Sequence, residues 1–422
     1  MDKKRNLIPE NSQSHRWQTT RLSLIITVLA ILVLFASPAS KAEGKPSLSA
    51  PIIDTPLFLP LVINRFPTGY VVVGWNNLGM HCYDLKYEDM AVLPPYNTMW
   101  AQVILRGDPP VILTQGTSVA YSFQDNTESA TKSNFWDYAQ QLFGLPNPLT
   151  PNVGLTGKGM AGEMDRAGSY FIAEGVPITE FRDSAPTTPY YFQLADLVAS
   201  DAASGKVLAT TTIVAPVSSE MRCDTCHTEP YANFRWNILT KHDEEENTSL
   251  MNQRPVLCAS CHADPALGAA GQPGVPSLSA AMHSQHAEEG VGPGDCYACH
   301  PGPTTRCLRD VMSQSASQIW CTDCHGHLAD LGNPNRTPWV DEPRCGNCHG
   351  EQFAENPGTL YRDSTGHGGL YCESCHNSTH AILPSREAND NLQSIALQGY
   401  AGTIAECTVC HLTKPSGPGP HQ

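Results

Sequence analysis

The sequence predicts an α+β fold in two unlike halves, a mostly-β, sandwich-like N-terminal domain followed by a domain of short helices and loops. Three observations carry this. Short runs rich in Val, Ile, Thr and aromatic residues recur between turn residues in the first half, the signature of strands. Beyond about residue 216 such runs become scarce, and Gly, Pro, His and Asn take over. In that second half, fourteen of the 16 cysteines fall into pairs of one spacing, 24 to 38 residues from pair to pair.

At 422 residues the chain is long enough for two or three domains. Charged residues are 16% and apolar residues 41%, which supports a packed core and excludes wholesale disorder. With 33 Gly and 34 Pro, long helices and coiled coils are disfavoured. A formal net charge of −15 excludes a nucleic-acid partner, which would need a basic face. Sixteen cysteines exclude an ordinary reduced cytosolic enzyme.

Residues 1–42 read as a secretory signal. Lys3, Lys4, Arg5, Arg16 and Arg21 precede the apolar run 22–36, and Ser40-Lys41-Ala42 offers a small-residue cleavage site. The run of 15 is shorter than the roughly 20 residues that span a bilayer, so membrane attachment would require this segment to stay uncleaved. Its removal takes away six basic and two acidic residues, leaving 20 basic against 39 acidic and a net charge of −19. Residues 43–66 are Pro-rich and read as an extended linker. The first domain is expected over 67–215, with strands at Tyr70–Trp75, Trp100–Leu105, Val119–Phe123, Tyr170–Ala173, Tyr190–Leu194 and Val207–Val214, and a helix over Asn134–Phe143. No catalytic serine set, P-loop or dinucleotide fingerprint stands out there, so no catalytic residue is assigned.

The second domain, 216–422, carries seven Cys-x-x-Cys-His units. They are Cys223-Cys226-His227, Cys258-Cys261-His262, Cys296-Cys299-His300, Cys321-Cys324-His325, Cys345-Cys348-His349, Cys372-Cys375-His376 and Cys407-Cys410-His411. This is the attachment unit of a c-type haem. Two thiols three positions apart reach the two vinyl groups, and the next imidazole meets the iron as proximal ligand. Structural zinc also uses paired cysteines, but neither zinc nor a disulfide scaffold needs a His after every second Cys. The expected cofactors are seven haems c, and the domain is expected to be short segments wrapped around them.

These motifs resemble those of multihaem c-type cytochromes over about half the chain. A weaker resemblance covers GWNNLGMHCYD (74–84) and LPPYNT (93–98), which are similar to the N-terminal domain of a group of large exported bacterial cytochromes. The resemblance implies extracytoplasmic respiration, in the periplasm or at the cell surface, and fixes no substrate.

The remaining histidines decide between carrier and catalyst, because a second His closes the iron while an open position permits chemistry. Eight lie outside the motifs beyond the signal: His81, His242, His283, His286, His327, His367, His380 and His421. The first seven are candidate distal ligands. His327 and His380 follow motif histidines too closely to turn back onto the same iron, and the resemblance also implies distal ligands just after motifs. His283 and His286 share a helical face and would serve two neighbouring haems. His421, next to the C-terminal residue, is expected to be free. Related cytochromes carry LQG-His before the last motif; here Tyr400 takes that place, so either another His serves the last haem or its sixth ligand is different or missing. Cys82 and Cys307 are left over, as a disulfide, as separate buried thiols, or with Cys307 as a sulfur ligand near the third haem.

The expectation is an exported conduit passing electrons between periplasmic or membrane donors and extracytoplasmic acceptors. Its partners would be other cytochromes or a quinol-linked membrane donor, with an extracellular metal or other acceptor beyond. The alternative is a multihaem oxidoreductase of small nitrogen or sulfur species with one open haem. A third reading makes assembly the main role, with the first domain as docking module.

Overall fold

The computed structural model describes residues 68–289, 296–314, 318–417 and 419–421, all within one unit that spans 63–422. The expected signal and linker, 1–66, lie outside the described residues. Among the described residues no helix is long and apolar enough to cross a membrane.

Two five-stranded sheets organise the N-terminal half. The first contains β1 (Tyr70–Asn76), β2 (Met99–Leu105), β4 (Asp165–Ala167) and β5 (Tyr170–Ala173) in the order β1-β2-β5-β4, with the short strand Val111–Ile112 also pairing with β2. The second contains β3 (Thr117–Phe123), β6 (Phe192–Asp201) and β7 (Val207–Ser218). Its order is His81–Cys82, β7, β6, β3, Gly162–Glu163. Strand β6 alternates strictly, with Gln193, Ala195, Leu197 and Ala199 buried and the residues between them half-buried, as a strand with one face on a core must. The β6–β7 hairpin closes where Asp201 Oδ1 accepts from the amides of Ala203 and Ser204, and Gly205 takes a φ of 69°.

The inner faces share one core that includes Val72, Met99, Ala101 and Val103 from the first sheet and Tyr121, Leu197, Ile213 and Ala215 from the second. A Cβ on Gly74 would lie 2.3 Å from Leu197 Cδ1, so the close approach of the sheets requires glycine there. The opposite face of the first sheet is also covered. Val71, Val73, Trp75, Trp100 and Ile104 pack with Leu397 and Val409 of the C-terminal half. This explains why six of the seven residues of YVVVGWN are buried. Full burial of each such side chain contributes about 1.5–3 kcal/mol. Tyr371 packs edge-on against Trp100 and Tyr170, whose rings stack at 4.1 Å.

Polar contacts complete the seam. In helix α4 (Leu392–Gln398), the Gln393 amide accepts from Gly74 N at 2.8 Å and donates to Gly74 O at 2.9 Å, imitating a further strand beside β1. Gln102 does likewise from β2, donating to Gly369 O and accepting from Tyr371 N. Arg309 and Asp390 form a buried bidentate pair at 2.7 and 3.2 Å, with Ser385 Oγ donating to the same carboxylate. The helix expected over 134–143 is α1 (Phe135–Leu142), which buries Phe135, Trp136, Ala139 and Leu142. In the second half, the longest helices are α2 (Phe234–Glu246) and α3 (Leu278–Glu288), amid single turns. Helix α2 is capped by Asn233 and tied down by Asp89, which accepts from Trp236 Nε1 and Asn233 Nδ2.

The two stretches 74–84 and 93–98 come together. Asn76 Nδ2 donates to Asn97 Oδ1, Asn97 Nδ2 donates to Pro216 O, and Asp84 Oδ2 accepts the amides of Val92 and Leu93. Their polar residues therefore build the fold.

Candidate metal centres

Each Cys-x-x-Cys-His unit forms a single tight turn. The His amide donates to the carbonyl of the first Cys, at 2.9–3.1 Å in the units beginning at 223, 258, 296, 345 and 407. The units at 321 and 372 are one-turn α-helices. Such a turn sets two thiols and one imidazole at the spacing of the attachment unit.

Six motif histidines have the ring of a non-motif histidine opposite. His227 faces His286 at 6.2 Å between ring centroids, and His262 faces His242 at 6.3 Å. His300 faces His283 at 6.0 Å, and His325 faces His380 at 6.0 Å. His411 faces His367 at 6.1 Å, and His376 faces His421 at 5.8 Å. An iron bonded to two imidazole nitrogens at about 2 Å each, with roughly 1 Å more from nitrogen to centroid, holds its two rings about 6 Å apart. The residues present therefore fit a metal gripped from both sides.

The chain also fixes which nitrogen is offered. Nδ1 is hydrogen-bonded in His227 (Asn237 Oδ1), His242 (Thr248 Oγ1), His262 (Pro276 O), His283 (Ser279 O) and His286 (Met282 O), at 2.7–3.0 Å. His411 Nδ1 lies 3.3 Å from Asp108 Oδ1, and Arg106 holds the same turn by donating to Thr408 O and His411 O. These partners leave Nε2 free to ligate. Burial pushes His300 and His380 down to about 4, with neighbouring histidines adding to it, so both are neutral and ready to donate. Burial pushes several thiols up, Cys258, Cys321, Cys345 and Cys410 to about 12.

Among the described residues no three or more His, Cys, Asp or Glu side chains converge as a metal-holding group, and the cysteines are free. Exposed large apolar side chains concentrate around the motifs, among them Met282 (43%), Val340 (64%), Phe353 (44%) and Leu412 (59%), which suits a half that packs against large apolar groups.

Shared segments place the sites in a row. Helix α2 carries Asn237, bonded to His227, and His242, so it joins the first and second sites. Helix α3 carries His283 and His286 one turn apart, joining the third and first. Cys296 is close enough to raise the Cys321 pKa, joining the third and fourth. His376 and His380 are four residues apart, joining the sixth and fourth, and His367 lies five residues before Cys372, joining the seventh and sixth. Cys348 is close enough to raise the Cys324 pKa, and Cys372 to raise that of Cys345, which sets the fifth site beside the fourth and sixth.

Other sequence candidates fall elsewhere. His81 is buried in the N-terminal half with its ring 5.8 Å from that of Tyr96, and burial pushes its pKa down to about 3. His327 is exposed and precedes the short helix Leu328–Leu331, its amide donating to Asp330. Neither has its ring against a motif histidine. His421, expected to be free, instead faces His376. Tyr400, half exposed, leaves no gap at the last motif, because His367 faces His411. Among the described residues, the motif histidine without a facing imidazole is His349. Cys82 neighbours Ser218, whose hydroxyl lies 2.9 Å from that of Thr305, two residues before Cys307. Burial and the nearby Cys307 push the Cys82 thiol up to about 12.

The family model for cytochrome c554 and c-prime matches residues 331–377, which contain the fifth and sixth motifs. No curated protein and no solved structure matches the chain. Together, the motif turns, the facing imidazoles and this match support a c-type cytochrome, a haem-binding protein of electron transfer.

Proposed function

We propose that the chain carries seven covalently attached haems c and conducts electrons through them, six held between two histidines. The observation that carries the reading is the set of six imidazole pairs at 5.8–6.3 Å, each joining a motif histidine to one outside the motifs. The iron of each haem supplies a one-electron couple. The chain's residues do the rest. The motif imidazole and the one facing it would hold each iron from both sides and leave no place for a substrate. Their Nδ1 partners fix ring orientation and raise ligand basicity. The short shared segments hold neighbouring sites close enough for transfer along the order second, first, third, fourth, sixth, seventh, with the fifth beside the fourth and sixth.

The N-terminal sheets act as the platform on which the last two sites are mounted, through Trp75, Trp100, Gln102 and Arg106. The protein works outside the cytoplasm, in the periplasm or at the cell surface. It takes electrons from another cytochrome or a quinol-linked membrane donor and passes them to an extracytoplasmic acceptor. Stopped-flow oxidation of the fully reduced protein by a large acceptor that docks at one end tests the conduit. All haems should oxidise in one concerted phase set by encounter. A subset left reduced after that phase would contradict it.

A further inference from the structure

We propose that Cys82 and Cys307 form a reversible disulfide, a two-electron site that ties the N-terminal half to the third and fourth motifs and exchanges electrons with the haems there. The inference rests on the haem reading above, because those haems give and take the electrons. Of the 16 cysteines, fourteen belong to motifs and these two do not. Both are free thiols here, and half-buried. The fold brings them to one place. Cys82 pairs with Ser218 across the parallel ladder of His81–Cys82 and β7, and side chains paired across a ladder share a face of the sheet. The Ser218 hydroxyl lies 2.9 Å from that of Thr305, and both side chains are buried. Cys307 follows two residues later in a segment that is held in place. Glu220 accepts the amides of Thr304 and Thr305 at 3.0 and 2.7 Å, and Cys307 N donates to Pro301 O at 3.0 Å. The two thiols are within electrostatic reach of each other, since Cys307 adds to burial in pushing the Cys82 thiol up.

Cys307 also adjoins the motifs. Tyr297, inside the third motif, accepts the amide of Leu308 at 3.2 Å, one residue past Cys307. Cys296 acts on the Cys307 thiol, and Cys307 acts on the Cys321 thiol, so the cysteines that open the third and fourth motifs both lie nearby. A disulfide at this place is a short electron transfer from two haems. Its formation breaks two S–H bonds and makes one S–S bond. Two electrons reduce two ferric irons, one each, and two protons pass to water, which reaches both half-buried side chains. Two ferrous irons and two protons reverse every step. Exchange with a soluble disulfide competes poorly. Burial pushes the Cys82 and Cys307 thiols up to about 12 and about 11, which leaves little thiolate to attack it. The compartment proposed above favours the oxidised form, because disulfides persist outside the cytoplasm.

The test is an anaerobic coulometric titration of the full chain, matured in a host that attaches haem c, beside iodoacetamide labelling of the unfolded protein read by intact mass. Motif cysteines bound to haem cannot be labelled, so the label counts Cys82 and Cys307 alone. The ferricyanide-oxidised protein should take no label and the fully reduced protein two. A non-reduced digest of the oxidised protein should contain one peptide pair joined through Cys82 and Cys307. The charge passed should exceed by two electrons per chain the seven that haem absorbance accounts for. The Cys82→Ser/Cys307→Ser variant should keep seven haems and lose that excess. Labelling and excess charge are both read on the unaltered chain, so the test holds even where the variant does not accumulate. Two labels on the oxidised protein would overturn the disulfide. A disulfide that stays closed, with no excess charge, while all seven haems are reduced would overturn the electron exchange. Fewer than seven haems by pyridine haemochrome, with more than two labels on the reduced protein, would overturn the haem reading itself.

Discussion

Replacing Arg309 with Ala should destabilise the protein by about 3–5 kcal/mol, the usual cost of stripping one partner from a buried ion pair. The magnitude follows from the surroundings. The Arg309 and Asp390 side chains are 3% and 0% exposed, so neither recovers solvation when its partner goes. The carboxylate would keep only Ser385 Oγ, at 2.5 Å. The guanidinium also donates to Cys307 O at 3.0 Å and lies 4.9 Å from the Phe192 ring centroid. The pair thus ties the linker after the third motif to the linker before the seventh and to the second sheet. Its position reaches the sites too, since Arg309 N donates to His380 O at 2.9 Å, the residue facing His325. At about 2 °C of midpoint per kcal/mol for a chain of this size, the loss reads as roughly 6–10 °C by calorimetry or far-ultraviolet dichroism. Asp390→Ala should cost a similar amount, and the double variant little more than either alone, because the worst state is one buried charge without the other. Single variants within 1 °C of the unaltered protein, or a double variant equal to the sum of the two, would refute this reasoning.

Three further outcomes follow from the same geometry. His380→Ala should open the fourth site and raise carbon monoxide stoichiometry by one, read by titration; an unchanged value would show that His380 does not close that iron. Asp108→Asn should raise the potential of the haem at the seventh motif, because a carboxylate on His411 Nδ1 favours the oxidised iron; a potentiometric titration in which no component moves would contradict it. His81 is held near pKa 3 when folded and titrates near 6.5 when unfolded, so below about pH 6.5 the unfolded state gains a proton that the folded state refuses. Its stabilising contribution is therefore present above pH 6.5 and is lost as pH falls toward 3. The stability of the unaltered protein relative to His81→Leu should drop by about 1.4 kcal/mol per pH unit through that window. Asp84, pushed up to about 6 by burial, acts in the opposite sense, which makes the difference between the two proteins the quantity to read. Parallel stability curves would rule the mechanism out.

Local pattern made much of the sheet region legible. Tyr70–Trp75 reads as a strand because its side chains are apolar on both faces, and both faces prove to be covered. Strand β6 extends to Asp201, well past the expected Leu194, because Asp196 and Ser200 at its outward positions dilute the strand composition while Ala195, Leu197 and Ala199 keep the buried face. The motif turns were readable for a similar reason, since five consecutive residues contain all the information. Ligand pairing was not, because it depends on where linkers of some 20 to 35 residues return. His421 follows a Pro- and Gly-rich tail with no periodicity, and only the folded chain brings it to His376. The missing LQG-His pattern at Tyr400 left open whether another histidine serves the last motif, and the histidine facing it is His367, 44 residues before His411 in sequence. The seam between the halves was equally hidden. Nothing in the sequence of α4 marks Gln393 as a substitute strand, a role created by the exposed edge of β1.

The central claim is that iron porphyrin is bound through sulfur at all seven motifs. Intact mass of the protein matured in a host that attaches haem c, taken with its pyridine haemochrome content, measures this directly. The account predicts a mass increment of seven haems that survives acid and organic extraction. A polypeptide mass without adducts, or haem removed by extraction, would contradict it.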